Sequence, residues 1–230
     1  MVIPLPPRLP LPVIATDPHF ISGGKKIRTE IIDAQPPGLH PAVILLHGSG
    51  GMRYSHERYQ LMAEAFSAAS GYAMLIPHYF DSTGTQWADE SVYEAHFTAW
   101  MKTIADSIAF AQSRPNVDPS RIALVGLSLG GYLAVSLGAT DPRVKAVVEF
   151  FGGIPDVIAE TAKSMPPTLI LHGDADSRVP VSEARKLESF LQARRVKHEI
   201  DIFTGQGHRF DPMTASKALE KSAEFLARHL

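Results

Sequence analysis

Short apolar stretches alternate along this chain with longer segments of helical periodicity, and this alternation limits the fold more than any other feature. Strands are predicted at residues 27–32, 42–46, 72–76, 121–125, 144–150, 168–171 and 198–203. Helices are predicted at residues 57–70, 91–113, 128–138, 182–194 and 212–229. Because runs such as Ala-Val-Ile-Leu-Leu at 42–46 are apolar throughout, they are typical of strands buried on both faces. The sequence therefore predicts an α/β fold, with a mostly parallel sheet of about seven to eight strands and helices on both faces.

Length and composition exclude several classes of protein. The 230 residues suit one domain, which we expect to cover residues 23–230. Twenty-two Lys and Arg residues against 24 Asp and Glu residues leave no basic surface for nucleic acid. The chain has no cysteine, which excludes disulfides, thiolate metal sites and a cysteine nucleophile. No stretch approaches the roughly 18 consecutive apolar residues of a membrane span, so no membrane partner is expected.

The first 22 residues are apolar but rich in proline, with six prolines in residues 1–18. Repeated prolines break the helical core that a signal peptide needs. We therefore expect an extended arm over residues 1–22 that lies on the domain or on a neighbouring subunit, in a cytoplasmic protein that is a monomer or a homodimer.

The strand at residues 121–125 leads directly into Gly-Leu-Ser-Leu-Gly at 126–130, and a helix follows. This is the G-x-S-x-G motif in its required context, a sharp turn that exposes the central serine at a helix N-terminus. Ser128 is thus a candidate nucleophile, and the N–H group of Leu129 is a candidate donor to an oxyanion. The simpler alternative is a Gly-rich turn in which the serine only caps the helix.

A serine nucleophile needs a basic histidine that is oriented by a carboxylate. The segment after strand 168–171 offers two carboxylates, Asp174 and Asp176, and His208 follows strand 198–203. Serine, acid and histidine in this chain order are typical of catalytic triads in α/β sheets. The sequence predicts the triad Ser128, Asp176 and His208.

With these motifs the chain resembles the α/β-hydrolases, and among them the dienelactone hydrolase family, from about residue 25 to residue 230. The resemblance is carried by Leu-Leu-His-Gly-Ser-Gly-Gly at 45–51, the turn at 126–130, His-Gly-Asp-Ala-Asp at 172–176 with Val-Pro at 179–180, and Gly-His-Arg-Phe at 207–210. It implies the α/β-hydrolase fold, and it implies that the later aspartate, Asp176, is the catalytic acid. Asp174 is then expected to stabilise its own turn.

The resemblance also implies that the second oxyanion donor follows His47-Gly48. We assign the N–H group of Ser49 first and that of Gly50 second, and we expect the His47 side chain to be structural. The chain departs from dienelactone hydrolases at the nucleophile, where they carry cysteine and this chain carries serine. Acyl transfer is expected all the same, on an ester or lactone substrate.

Little chain is available to cover the predicted site. Only residues 151–167 lie between the strands at 144–150 and 168–171, where lid domains usually enter, so we expect no lid domain. The site is expected to be open, or to be covered by residues 80–91 and a neighbouring subunit. The candidate pocket residues, which could equally pack in the core, are Met52, Tyr54, Phe80, Trp87 and Phe151. Arg53 and Arg209, with Arg178, are candidates for binding an anionic acyl group or for making local ion pairs.

Four histidines, His47, His78, His172 and His208, fall at predicted strand ends and raise the question of a metal site. None forms a local ligand pair such as H-x-x-x-H, and the serine motif explains the position better. We therefore expect no metal and no cofactor.

These observations favour a serine hydrolase that cleaves a small-to-medium carboxylic ester or lactone through an acyl-enzyme. One alternative is a peptidase or amidase that is similar to the catalytic domain of prolyl oligopeptidases, although 230 residues leave no room for their gating domain. The other is a ligand-binding module with slow turnover on the same fold.

Overall fold

After three successive strands, strands and helices alternate in the residues that the computed structural model describes, 18–53 and 55–230. The strands are β1 (His19–Ser22), β2 (Lys25–Ile32), β3 (His40–Leu46), β4 (Ala73–Pro77), β5 (Val117–Leu127), β6 (Val144–Phe150), β7 (Thr168–Gly173) and β8 (His198–Phe203). The helices are α1 (His56–Ser70), α2 (Glu90–Gln112), α3 (Leu129–Thr140), α4 (Asp156–Thr161), α5 (Val181–Ala193) and α6 (Pro212–His229), with a 3₁₀ helix at Tyr79–Ser82. The predicted alternation is thereby confirmed.

The eight described strands form one sheet in the order β1-β2-β4-β3-β5-β6-β7-β8. All neighbours from β4 to β8 pair in parallel, whereas β1 and β2 add an antiparallel edge. In a parallel sheet the carboxyl ends of the strands meet at one edge, where ligands bind. The segments after β3, β4, β5, β6, β7 and β8 therefore share this edge.

The sheet separates two apolar cores. Alternate residues of β3 point to opposite faces, so that Ile44 and Leu46 pack in one core and Val43 and Leu45 in the other. The first core is closed by α2, α3 and α5, and the second by α1 and α6. Helices thus cover both faces, as the uninterrupted apolar strands predict.

The connection from β6 to β7 holds a single six-residue helix, α4. It provides no room for a lid domain at this point, in agreement with the sequence. None of the helices in residues 18–53 and 55–230 has the length and apolar composition that crossing a membrane requires.

The first strand is a difference from the sequence prediction. The sequence predicts that residues 19–22 belong to the proline-rich arm, but they form β1, which pairs with β2 from His19 opposite Arg28 to Ser22 opposite Lys25. Phe20 is buried there and stacks on Phe110 of α2 at 5.6 Å between ring centroids. The rest of the predicted arm, residues 1–17, lies outside the described residues.

Candidate active site

Ser128 is the single residue between β5 and α3, and its backbone conformation is strained, with φ 56° and ψ −120°. A Cβ atom on Gly126 would lie 2.0 Å from the carbonyl oxygen of Gly130, and one on Gly130 would lie 2.3 Å from that of Leu46. Only glycine fits at these two positions, which is the steric reason for the motif. The Ser128 N–H donates to the carbonyl oxygen of Phe150 at 2.7 Å and ties the turn to β6.

The side chains of Ser128, His208 and Asp176 form a continuous chain of hydrogen bonds. His208 Nε2 lies 2.9 Å from Ser128 Oγ, and His208 Nδ1 lies 2.7 Å from Asp176 Oδ2. The other oxygen of Asp176 accepts the backbone N–H groups of Arg178 and Val179 at 2.8 and 3.0 Å. With the Nδ1 proton donated to Asp176, Nε2 of His208 presents a lone pair to the serine hydroxyl. The arrangement can therefore take up the Ser128 proton.

The loops that carry Asp176 and His208 are joined to each other. Asp174 Oδ1 accepts the Gly205 N–H at 2.6 Å, and the Ala175 N–H donates to the Gln206 carbonyl oxygen at 2.9 Å. A Cβ on Gly173 would lie 2.1 Å from the same Gln206 oxygen, so the loops approach as closely as backbone allows. Asp174 thus has a structural contact as expected, but it bonds the loop after β8 rather than its own turn.

The loop after β3 lies against the serine turn. A Cβ on Gly48 would lie 3.3 Å from Ser128 Cβ. The Gly48 N–H donates to the hydroxyl of Tyr59 at 2.8 Å, and the Gly51 N–H donates to the Gly48 carbonyl oxygen at 3.0 Å. Among the described residues, the N–H groups of Ser49 and Gly50 make no hydrogen bond, and they are available to an oxyanion.

His47 is fully buried under this loop, and its ring stacks on Tyr79 at 4.0 Å between centroids. Its Nδ1 lies 2.9 Å from the Gly48 carbonyl oxygen. Burial lowers the pKa of His47 to about 3, so the ring is neutral at any pH at which the protein would be assayed. These contacts fit the structural role expected of it.

A cleft of about 610 Å³ opens beside this loop at the ends of β3 and β4. Three of the predicted pocket residues, Met52, Arg53 and Phe80, line it. Arg53 also hydrogen-bonds Gln86, which belongs to the predicted covering segment at residues 80–91. That segment is held to the loop after β3, because the Ala88 N–H donates to the Ser49 carbonyl oxygen at 2.9 Å.

The sequence does not predict that β2 contributes to the wall of this cleft. Arg28 of β2 makes a bidentate pair with Asp81 at 2.7 and 2.9 Å. Behind them, Oε1 of Glu30 contacts Nε2 of His78 at 2.9 Å and of His56 at 3.0 Å. No local motif signals Arg28 and Glu30, because the antiparallel pairing of β2 with β4 is what brings them to the site.

An apolar groove of about 240 Å³ runs between α1 and α6, and its residues adjoin the triad. Phe151 contributes to it and packs on His208 at 5.3 Å between ring centroids. Its other residues are Arg58, Leu61, Met62, Leu127, Phe150, Phe210, Ala215 and Leu219. Of the remaining predicted pocket residues, Trp87 is 55% exposed and lines neither cavity, Arg209 is exposed beside His208, and Tyr54 lies outside the described residues.

The four strand-end histidines bind protein groups. His47 bonds Gly48, His78 bonds Glu30, and His208 bonds Asp176 and Ser128. His172 Nε2 lies 2.9 Å from the Val179 carbonyl oxygen and 3.5 Å from the same Asp176 oxygen that His208 contacts. Among the described side chains, no three His, Asp or Glu residues are grouped so as to hold a metal ion.

Comparison with known proteins places these features in a family. The profile of the dienelactone hydrolase family matches residues 29–228. A Synechocystis sp. protein named as a carboxymethylenebutenolidase is 34% identical over 113 residues, which cover 45% of this chain and 46% of that one, less than half of the relative's length. A carboxymethylenebutenolidase homolog of Xenopus tropicalis is 25% identical over 199 residues, covering 81% of this chain and 78% of the relative.

A solved structure has the same architecture. The dienelactone hydrolase from Anabaena variabilis superposes with a TM-score of 0.73 at 20% identity, over 95% of this chain and 99% of that one.

Proposed function

Since the chain belongs to the dienelactone hydrolase family, we propose that it is a serine hydrolase that cleaves a small-to-medium carboxylic ester or lactone. It has the α/β-hydrolase fold, in which catalytic groups collect at the carboxyl edge of the sheet. The single observation that supports the proposal best is the hydrogen-bonded chain from Ser128 through His208 to Asp176.

In the first half-reaction, Ser128 Oγ attacks the acyl carbon while His208 Nε2 removes its proton. The carbonyl π electrons move to oxygen, and the oxyanion is bound by the N–H groups of Leu129 and Ser49, with Gly50 as the reserve donor. His208 then returns the proton to the leaving oxygen, so that the alcohol departs and an ester of Ser128 remains.

In the second half-reaction, His208 takes a proton from water, whose oxygen attacks the acyl-enzyme. Collapse of this second oxyanion expels Ser128 Oγ, which recovers its proton from His208, and the carboxylic acid is released. Asp176 keeps His208 in the tautomer that both steps need, and it stabilises the imidazolium. The residues of the chain suffice for this chemistry, so neither metal nor cofactor is part of the proposal.

Two cavities at the carboxyl edge of the sheet suggest the size and polarity of the substrate. The groove of about 240 Å³ is apolar except for Arg58, and benzene fits an apolar cavity of about 150 Å³. A ring or a short alkyl chain would therefore fill it. The cleft that includes Met52, Arg53 and Phe80 is larger and is lined mostly by polar and charged residues, so it suits the more hydrophilic part of the ester.

Several further assignments remain predictions. These are substrate contacts of Tyr54, Trp87, Phe151 and Arg209, the division into an arm and one domain, cytoplasmic residence, and a monomeric or homodimeric state. The alternatives of a peptidase and of a slow ligand-binding module are tested by the same assay as the esterase.

The test is hydrolysis of p-nitrophenyl esters from acetate to decanoate, beside peptide p-nitroanilides, by the wild type and Ser128→Ala. We expect the wild type to hydrolyse the short esters in preference to the anilides. Ser128→Ala should lose about 10³-fold or more of kcat, because the acyl-enzyme cannot form.

Ser216→Ala, on the exposed surface of α6, is the matched control and should retain wild-type kinetics. Equal activity of wild type and Ser128→Ala would refute the proposed nucleophile. Preference for the anilides would favour the peptidase, and failure of the wild type on both substrate classes would favour the binding module.

A further inference from the structure

A glutamate that makes no ion pair within the described part of the chain is buried near the serine turn. Glu149 belongs to β6, and it is 0% exposed. Its Oε2 accepts the backbone N–H of Gly152 at 2.7 Å, and its Oε1 has no hydrogen-bond partner among the described residues. A carboxyl group in an apolar core is costly, and an unpaired oxygen on it calls for an explanation.

We propose that Glu149 is a positioning residue for the reaction centre, because its carboxyl group holds the turn after β6 that in turn holds Ser128 and His208. The inference rests on the proposed function, and it concerns how the triad is supported rather than which residues react.

The turn after β6 needs this support because its backbone is strained. Phe151 has φ 57°, in the left-handed region that non-glycine residues rarely adopt. The next residue, Gly152, gives its N–H to Glu149, and a Cβ there would lie 2.8 Å from Glu149 Oε2. The hydrogen bond from Gly152 to the carboxyl group therefore sets the direction of the turn. It also holds the Gly152 backbone so close to Glu149 that a side chain would not fit there.

Two residues at this turn, Phe150 at the end of β6 and Phe151 after it, contact the reaction centre. The carbonyl oxygen of Phe150 accepts the Ser128 N–H at 2.7 Å, which sets the position of the nucleophile. The ring of Phe151 packs on the ring of His208 at 5.3 Å. The Phe151 N–H also donates to the Leu171 carbonyl oxygen at 3.1 Å. Loss of the Glu149 contact would weaken the remaining hold on the turn at Gly152 and let the anchors of the nucleophile and of the base shift.

Glu149 also touches the helix that follows Ser128. A Cβ on Gly131, in the first turn of α3, would lie 3.3 Å from Glu149 Oε2. This helix N-terminus contributes the Leu129 N–H and a positive potential to the proposed oxyanion site. A neutral carboxyl group leaves that potential intact, whereas a carboxylate would oppose the negative charge of the oxyanion.

The surroundings of Glu149 favour the neutral form. Its neighbours in register are Gly126 of β5 and Ile170 of β7. The titratable groups on its face of the sheet are His172 of β7 and, on the packed helices, Tyr132 and Glu183, which hydrogen-bond each other at 3.3 Å. None of these supplies a positive charge to Glu149, since burial also lowers the pKa of His172.

Burial raises the pKa of Glu149 from 4.5 to about 8. Because the folded protein holds this proton more tightly than the unfolded chain, the contribution of Glu149 to stability falls as pH rises from about 4.5 to about 8 and is then constant. Activity should fall as pH rises through about 8, when the carboxylate forms.

The experiment compares wild type, Glu149→Gln and Glu149→Ala by kcat and KM for a p-nitrophenyl ester from pH 5.5 to 10, with thermal unfolding at each pH. Glutamine keeps an oxygen for the Gly152 N–H but cannot ionise, whereas alanine removes the acceptor. Glu183→Gln is the matched control, a neutralised glutamate against the same turn at Gly153, and it should follow the wild-type profile.

We expect Glu149→Ala to lower kcat by about 10- to 100-fold with little change in KM, as a displaced reacting group does. Glu149→Gln should restore kcat at pH 7 and lack the decline of activity near pH 8. Equal kcat values for the alanine and glutamine variants, or an unchanged decline near pH 8 in Glu149→Gln, would overturn the proposal. If Glu149→Ala does not fold, the pH profile of Glu149→Gln decides alone.

A second measurement, the rate of covalent labelling of Ser128, tests the role of Glu149 separately from the proposed function. The rate at which a fluorophosphonate labels Ser128 reports the reactivity of the nucleophile without any ester substrate. If the wild type cleaves no ester, the proposed function fails. The labelling rate still tests Glu149, because it should fall in Glu149→Ala and recover in Glu149→Gln. Normal esterase activity with equal labelling in all variants would overturn only the role of Glu149.

Discussion

Two aspartates of one loop differ in role because their oxygens bond different partners. Asp176 places one oxygen on His208 and the other on two backbone N–H groups, and its side chain is inaccessible to solvent. Asp174 is exposed, and its Oδ1 accepts the Gly205 N–H of the neighbouring loop. The first arrangement orients an imidazole, and the second joins two loops.

Asp176→Asn should therefore lower kcat by about 10³- to 10⁴-fold, because an asparagine amide stabilises the unproductive tautomer of His208 and cannot balance the imidazolium. Steady-state kinetics with a p-nitrophenyl ester would measure the loss. Asp174→Asn is the matched control, since it removes a carboxylate from the same loop, and it should stay within about 2-fold of the wild type. Similar losses in both variants would contradict the assignment of the acid.

How far single residues can be predicted depends on whether their neighbours in sequence are also their neighbours in space. The proximity of Ser128, Asp176 and His208 follows from short motifs at strand ends, because the turn chemistry of each motif is local. Glu149 lies in an apolar run and Glu30 in an edge strand, and their contacts come only from chain segments far away in sequence. No local pattern could have indicated them.

Among the elements, the turn between β5 and α3 shows the tightest steric limits. The carbonyl oxygens of Gly130 and Leu46 occupy the space that side chains at positions 126 and 130 would need. These oxygens belong to the backbone and cannot rotate away. The strain at Ser128 is thus maintained by packing on both sides of the turn.

Gly126→Ala should destabilise the protein by about 3 kcal/mol or more, since the added methyl group meets backbone that cannot give way. Urea unfolding followed by circular dichroism would measure the change. Gly50→Ala, where an added Cβ meets no atom within 4 Å, is the control and should stay within about 0.5 kcal/mol of the wild type. If Gly126→Ala loses no more unfolding free energy than Gly50→Ala, the turn can relax around the added methyl group.

Most element boundaries were predicted to within two residues because the caps are local. Asp89 and Asp211 accept N–H groups in the first turns of α2 and α6, and Gly71 ends α1 with φ 68°. The strand β1 was missed because it follows a proline-rich segment and is stabilised by pairing with β2 and by the contact of Phe20 with α2. Such an edge strand has too little periodicity of its own to be recognised.

For the whole molecule, two unlike cavities at the carboxyl edge of the sheet relate the fold to the proposed substrate choice. The polar cleft lies on the β3–β4 side, where β2 contributes Arg28. The apolar groove lies between α1 and α6, with Leu127 at its base directly before Ser128. An ester held at Ser128 could thus place groups of opposite polarity on the two sides.

Filling the groove should change chain-length preference without removing the chemistry. Ala215 lies on the groove wall in α6, and Ala215→Phe puts a ring where an alkyl chain would lie. Each buried methylene contributes about 0.8 kcal/mol, or about 4-fold in kcat/KM, so wild-type activity should rise from acetate to hexanoate. In Ala215→Phe this rise should disappear while acetate is cleaved normally, as the p-nitrophenyl ester series would reveal.

Ala227→Phe makes the same change at an exposed position of α6 and should keep the wild-type profile. A chain-length profile in Ala215→Phe that matches this control would mean that the acyl chain binds outside the groove, for example in the polar cleft.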